Sequence, residues 1–209
     1  MTIIIALYIQ PVSAVDWEYD FPYDSENRYL ELEAYYCSSC FLGETYDGED
    51  IDYNVYEDPT ESYLKNTLMG SSKLFYYSGH GGILLTINYI DPPGLLNEIF
   101  PWEIPDLTSV TGGGNQLLGY ISTCYSADVH GTLDMLHDGF IDEGSEAYFG
   151  FMGEVFCDNK YYFSCAFFDS LALGNDVDDA LDDALDDNNH DINPWEVGLY
   201  GDGSTTVVD

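Results

Sequence analysis

Positive charge is almost missing from this 209-residue chain. Lys plus Arg number four, against 39 Asp plus Glu, for a formal net charge of −35. Such a surface repels phosphate backbones, which excludes nucleic acid as a partner, and disfavours anionic membranes for the same reason. Long apolar runs are missing too. The longest near the start, Thr2 to Ile9, is too short to span a bilayer. It carries no positively charged segment before it. It is followed by Pro11-Val12-Ser13-Ala14, where Val12 and Ala14 fit the small-residue rule for signal-peptide cleavage. Residues 1–14 are therefore read as a signal peptide, and otherwise as an N-terminal strand. No internal repeat is visible. Gly112-Gly113-Gly114 lacks the following Lys-Ser/Thr of a phosphate loop and reads as a connector.

Cysteine is scarce. There are five, Cys37, Cys40, Cys124, Cys157 and Cys165. With Cys124 set aside as a nucleophile, four remain for two disulfides in three connectivities, or for free buried thiols. Cys37-Ser38-Ser39-Cys40 could form half of a zinc site, but no second CxxC completes it.

What is present suits one folded domain. Apolar residues make up 45% of the chain, enough for a sizeable core. Self-repulsion at a charge of −35 is screened by salt, so the acidity reads as adaptation to a salty or cation-rich setting. Localisation is then outside the cell or on its surface, or in the cytoplasm of a salt-accumulating cell. Bound Ca²⁺ could supply positive charge as a structural ion, though no EF-hand loop is present.

The pattern along the chain is α/β. Residues 15–34 are acidic and Tyr-rich without clear period, and read as an irregular arm; the folded domain is expected over 35–209. Tyr35 to Leu42 is expected as a first strand. Ile51, Tyr53 and Val55 alternate with polar neighbours as in a half-buried strand. Asp58 as N-cap and Pro59 at the first helical position start a helix that carries Tyr63, Leu64 and Leu68 inward and stops at Gly70. Leu74 to Tyr77, Leu117 to Ile121 and Glu146 to Phe151 are continuous apolar runs, the look of parallel strands buried on both faces. Ile83 to Ile90 suggests a hairpin. Tyr161 to Leu173 reads as a helix, and Val177, Ala180, Leu181, Ala184 and Leu185 form a second helical stripe. The Asp pairs of 176–191 give that helix a solvated face or a cation-binding strip. Val197 to Tyr200 closes as a short strand. Strands alternating with helices imply a three-layer α/β fold with a mostly parallel central sheet.

Two of these buried strands end in reactive residues. The first runs into Ser78-Gly79-His80-Gly81-Gly82 and the second into Ser122-Thr123-Cys124. In open α/β sheets, sites form beyond the carboxyl ends of strands. Neighbouring strands start about 4.8 Å apart, so short loops can bring imidazole and thiol together. A thiol needs such a partner to ionise near neutral pH. Gly81 lets its backbone N–H approach a substrate carbonyl, and with the Cys124 N–H it could form an oxyanion hole. His130 and His137 beside Cys124 and Asp128 match no standard metal-ligand spacing, and His190 reads as a surface loop residue.

Phe75-Tyr76-Tyr77-Ser78-Gly79-His80-Gly81 resembles the strand-then-His-Gly motif of the caspase-like cysteine peptidases: caspases, metacaspases, legumains and gingipains. Leu118 to Ala127 resembles their strand into the catalytic cysteine. Tyr148 to Phe151, Phe167-Phe168, Gly174, Ala180, Ala184 and Leu199-Tyr200-Gly201-Asp202 are similar to the closing half of gingipain-type domains. The resemblance spans residues 35–209. It implies His80 as general base, Cys124 as nucleophile, the Gly81 and Cys124 amides as oxyanion hole, and a protein or peptide substrate. No metal cofactor is required on this reading. Relatives cut after one chosen side chain, and the acidic field favours a basic one. The rivals are an inactive exported binding or surface-assembly protein on the same fold, and a metal-dependent hydrolase using histidines and carboxylates.

Overall fold

A computed structural model describes residues 17–84, 87–93, 98–128 and 135–209. The N-terminal run of 1–14 and His130 lie outside these residues.

A seven-stranded sheet runs in the order β2-β3-β1-β4-β7-β8-β9. Its elements are β1 (Trp17–Tyr23), β2 (Thr45–Tyr46), β3 (Glu49–Glu57), β4 (Leu74–Ser78), β7 (Leu118–Ser122), β8 (Ala147–Phe151) and β9 (Val197–Gly201). The five inner strands are parallel, and the edges β2 and β9 are antiparallel. A separate hairpin, β5 (His80–Leu84) with β6 (Ile87–Asp91), rises from the end of β4. Residues of β4 alternate between two cores. Leu74 and Tyr76 join one, with α1 (Arg28–Ser39), α4 (Cys157–Ala172) and α5 (Val177–Asp186). Phe75 and Tyr77 join the other, with α3 (Leu136–Asp142) and the π turn Leu64–Met69, which continues the short α2 (Glu61–Tyr63). A strand buried on both faces must be apolar at every position, which is why the β4, β7 and β8 segments read as unbroken runs.

The first segment differs from the expected arm. Trp17, Tyr19, Phe21 and Tyr23 are buried on one face of β1. They alternate with Glu18, Asp20 and Pro22, the period of a strand. β1 pairs with both β3 and β4, so it lies inside the sheet. The expected strand over Tyr35 to Leu42 is also corrected: α1 covers Arg28–Ser39, capped by the Asn27 side chain accepting from the Tyr29 N–H. Leu30, Glu33, Ala34, Cys37 and Ser38 are its buried residues, at helical spacing. Aromatic β-propensity at Tyr35 and Tyr36 lost to this stripe.

The helix expected after Asp58 starts later, with Thr60 as its N-cap, and its π turn ends at Gly70. Asp58 instead takes a positive φ of 46° and its carboxylate accepts from Ser25 N–H at 2.7 Å. Leu64 and Leu68 point inward as expected, whereas Tyr63 is exposed. In α5, Val177, Ala180 and Ala184 are buried. All five thiols are free, and burial pushes those of Cys40 and Cys165 up to about 12. Among the described residues no helix is long and apolar enough to cross a membrane.

Candidate active site

Four loops converge at the carboxyl end of the parallel strands. Strand register puts Tyr23 opposite Ser78 and Ser78 opposite Ser122. The chain beyond these residues therefore carries Asp24, His80 and Cys124 out of neighbouring strands. Beyond β8, the same edge carries Glu154. The Gly79 N–H donates to Ser122 O at 3.3 Å, which keeps the His80 and Cys124 loops joined for one step past the sheet.

Gly81 crosses directly over the cysteine loop. A Cβ there would lie 2.5 Å from Thr123 Oγ1 and 2.9 Å from the Cys124 carbonyl oxygen, so no side chain fits. Among the described residues no acceptor lies on the Cys124 N–H. Tyr125 follows with φ of 60°, a left-handed conformation uncommon outside glycine, and its N–H donates to Gly153 O at 3.1 Å.

A cleft of about 400 Å³ opens on Cys124, lined by Gly81, Tyr125, Glu154, Val155 and Phe156. The Cys124 thiol lies 3.7 Å from Val155 O, one residue before the N-cap of the 16-residue α4. Phe156, 81% exposed, forms an apolar rim. Desolvation, and after it the negative charge that Glu154 sets in the cleft, raises the Tyr125 phenol pKa.

The imidazole lies in an adjoining cleft. His80 is half exposed, and its Nε2 is 3.9 Å from Asp24 Oδ2 and 3.9 Å from Glu26 Oε2. Among the described residues it is not hydrogen-bonded to Cys124. The structure thus brings the two predicted loops together and aims the imidazole at two carboxylates. Asp24 is buried, its N–H donates to Ser78 O at 2.9 Å, and its Oδ1 accepts from the Glu26 N–H at 2.8 Å.

Beneath both loops lies Lys160, buried in the first turn of α4. Its Nζ donates to Ser122 O at 2.8 Å and to Gly79 O at 3.3 Å. Nearby, the buried Glu33 carboxylate accepts from Ser78 Oγ at 2.9 Å and Ser164 Oγ at 2.6 Å. Cys157 adjoins this group: burial raises its thiol pKa, against a lowering by the Lys160 ammonium.

Sequence reasoning missed Asp24, Glu26, Glu154, Lys160 and Glu33. The signal for Asp24 was the alternation of 17–23, which ends at it. The signal for Lys160 was a lone cation inside an apolar helix of a chain with four. The other histidines stand apart. His137 stacks on Tyr200 with ring centroids 3.7 Å apart and faces Asp138 at 3.4 Å. The grouping of His137 with Cys124 and Asp128 is therefore not what the structure shows: among the described residues, the His, Cys and carboxylate side chains whose ligand atoms come within 4.8 Å of one another as a set of three are Asp24, Glu26 and His80. His190 accepts from the Ile192 N–H at Nδ1, so its Nε2 carries the proton donated to Ala184 O, which closes the end of α5.

The arrangement has the caspase-like α/β fold. No protein-family model and no curated protein sequence matches the chain. Solved structures do. One is described only as a protease, with TM-score 0.65 and 16% identity over 94% of this chain and 49% of the other. A second is the Arg-specific cysteine proteinase gingipain R, with TM-score 0.58 and 13% identity over 91% and 46%. A third is separase of Saccharomyces cerevisiae in complex with securin, with TM-score 0.57 and 18% identity over 91% and 12%. The chain thus spans about half the length of the first two and a small part of the third.

Proposed function

We propose that the chain is a cysteine endopeptidase with Cys124 as nucleophile and His80 as general base. The observation that carries this reading is the paired exit of the His80 and Cys124 loops from adjacent strands β4 and β7, beside an open cleft. In the first step the Cys124 sulfur attacks the peptide carbonyl carbon, and the thiol proton passes to His80. The oxyanion is received by the Gly81 and Cys124 N–H groups; one such donor is worth roughly 3–4 kcal/mol. Collapse breaks the C–N bond, His80 protonates the leaving amine, and a thioester remains. Water, deprotonated by His80, then hydrolyses the thioester and returns the thiol. The lone pair of His80 must swing from the carboxylates toward the thiol, a tightening common between free and substrate-bound sites.

Glu154 in the Cys124 cleft supports cleavage after a basic residue, and the fold relative gingipain R is described as Arg specific. The substrate is a protein or peptide. Export and life in high salt fit the acidic composition and belong to the same reading.

The test is iodoacetamide labelling of Cys124 at neutral pH in high salt, read by mass spectrometry, alongside turnover of peptides with Arg, Lys, Asp or Leu before the scissile bond. Fast labelling that slows in His80→Ala, with a loss of roughly 10²–10⁴-fold in kcat/KM, is expected. Slow labelling indifferent to His80 favours a non-catalytic binding protein on the same fold.

A further inference from the structure

Helix α1 carries two apolar stripes, and the protein covers only one of them. Leu30, Ala34 and Cys37 are buried. Tyr29, Leu32 and Tyr36, at i, i+3 and i+7, form the second stripe and are 42%, 38% and 37% exposed. Helix α4 extends this surface. The Tyr161 ring centroid lies 6.1 Å from that of Tyr29 and 6.4 Å from that of Tyr36. The exposed Tyr162 follows, 5.1 Å from Tyr161. Four tyrosine rings and Leu32 thus make one outer face over α1 and α4. Contiguous exposed apolar surface marks sites of contact. Tyrosine suits them because it gives a large contact area at little cost in rotamer entropy.

Charge says what kind of partner fits. Asp169 stands at the edge of the rings, where its carboxylate accepts from Tyr36 Oη at 2.9 and 3.1 Å and from Cys40 Sγ at 3.5 Å. Glu31 and Asp158, on the same two helices, are exposed. Among the described residues none of these three carboxylates is in a salt bridge. Three of the four basic side chains are engaged elsewhere: Lys65 with Glu61 and Glu103, Lys73 over Trp17, and Lys160 beneath Ser122. Only Arg28 remains to oppose the negative field here. A guanidinium or ammonium laid on these rings gains cation–π attraction and meets a carboxylate already held in place. A second copy of this chain would bring another −35 to the contact, and like charges set against each other repel.

The face also adjoins the proposed catalytic cleft. Helices α1 and α4 both start at the carboxyl edge of the sheet, after β1 and β8. Phe156, on the rim of the Cys124 cleft, comes five residues before Tyr161, about 7.5 Å of helix rise.

We propose that the tyrosine face of α1 and α4 is an exosite, which docks an Arg/Lys-rich segment of the polypeptide whose scissile bond enters the Cys124 cleft. That the docked segment belongs to a substrate rests on the peptidase reading; the binding of a basic segment does not.

Binding is read in the Cys124→Ala chain by the anisotropy of a fluorescent peptide of alternating Arg and Gly, against one of alternating Gln and Gly. Circular dichroism verifies the fold of every variant. The basic peptide is expected to bind and the neutral one not. Tyr36→Ser combined with Asp169→Asn should weaken binding at least about tenfold, and the milder Tyr29→Ser about threefold. Asp182→Asn, which removes one exposed charge from α5, should change nothing. Equal weakening by Asp182→Asn would show a diffuse field and overturn the exosite. Binding lost in Glu154→Gln but kept in the Tyr36 and Tyr29 variants would place the peptide in the cleft and overturn it too. So would dimers in sedimentation that Tyr36→Ser dissolves, since a second copy would then cover the face. In the chain with Cys124 intact, Tyr36→Ser with Asp169→Asn should raise KM several-fold for a protein substrate with a basic segment and leave short peptides unaffected. An unchanged KM for that protein overturns the docking of substrate. Basic-peptide binding at this face without His80-dependent Cys124 reactivity refutes the peptidase reading alone.

Discussion

The buried ammonium of Lys160 donates a 2.8 Å hydrogen bond to the carbonyl of Ser122, two residues before Cys124. The same group reaches Gly79 O at 3.3 Å, one residue before His80. One of only four basic side chains in the protein is thus spent inside it. It ties together the two strand ends that carry the proposed dyad. Lys160→Met takes a donor from Gly79 O and leaves Ser122 O with the Gly79 N–H alone. A stability loss of about 2–4 kcal/mol is expected from urea unfolding. An unchanged urea midpoint would show that Lys160 is not needed to hold the two strand ends together.

If the proposed cleavage after basic residues holds, Glu154 in the Cys124 cleft is the side chain expected to select them. Glu154→Gln should lower kcat/KM for Arg and Lys peptides by roughly 10–100-fold, the worth of one hydrogen bond between charged groups. Peptides with Leu at that position should be little affected. Equal losses on all peptides would show that Glu154 shapes the cleft without selecting charge.

Asp20 makes stability depend on pH. It is buried in β1, accepts from Ser72 Oγ, and desolvation raises its pKa from 3.8 to about 7. The folded protein therefore binds the proton more tightly than the unfolded chain. This contribution is fully present below about pH 4 and is lost as pH rises through about 7. Asp20→Asn should remove that slope and stabilise the protein above pH 7, on the order of a few kcal/mol. Thermal melts of both forms from pH 5 to 8 measure it; parallel slopes in the two proteins would discard the idea.

Salt should stabilise the fold. With a net charge of −35, like-charge repulsion spreads over most of the surface. Raising NaCl shortens the screening length from about 10 Å at 0.1 M to about 3 Å at 1 M. The melting temperature is expected to climb steeply over that range and to keep rising toward molar salt. A flat or falling Tm would reject salt adaptation.

The sequence by itself determined the parallel core. β4, β7 and β8 are covered on both faces, so each is apolar throughout and stands out without knowledge of its neighbours. The helical stripes of α4 and α5 are local in the same way. His80 and Cys124 were legible because each follows such a strand directly. What escaped carried charged residues within its pattern or was non-local. β1 alternates Tyr and Phe with Glu, Asp and Pro, so its charge hid its period, and α1 hid its stripe among Tyr and Glu. Only the tertiary structure decided that β1 lies beside β4, which sets Asp24 and Glu26 against a histidine more than fifty residues away. Only it put Lys160 under the carbonyls of Gly79 and Ser122 and Glu154 beside Cys124. Parallel strands are joined by long crossovers, so the order of strands in the sheet, and with it the company at their ends, is fixed by which faces bury best against one another.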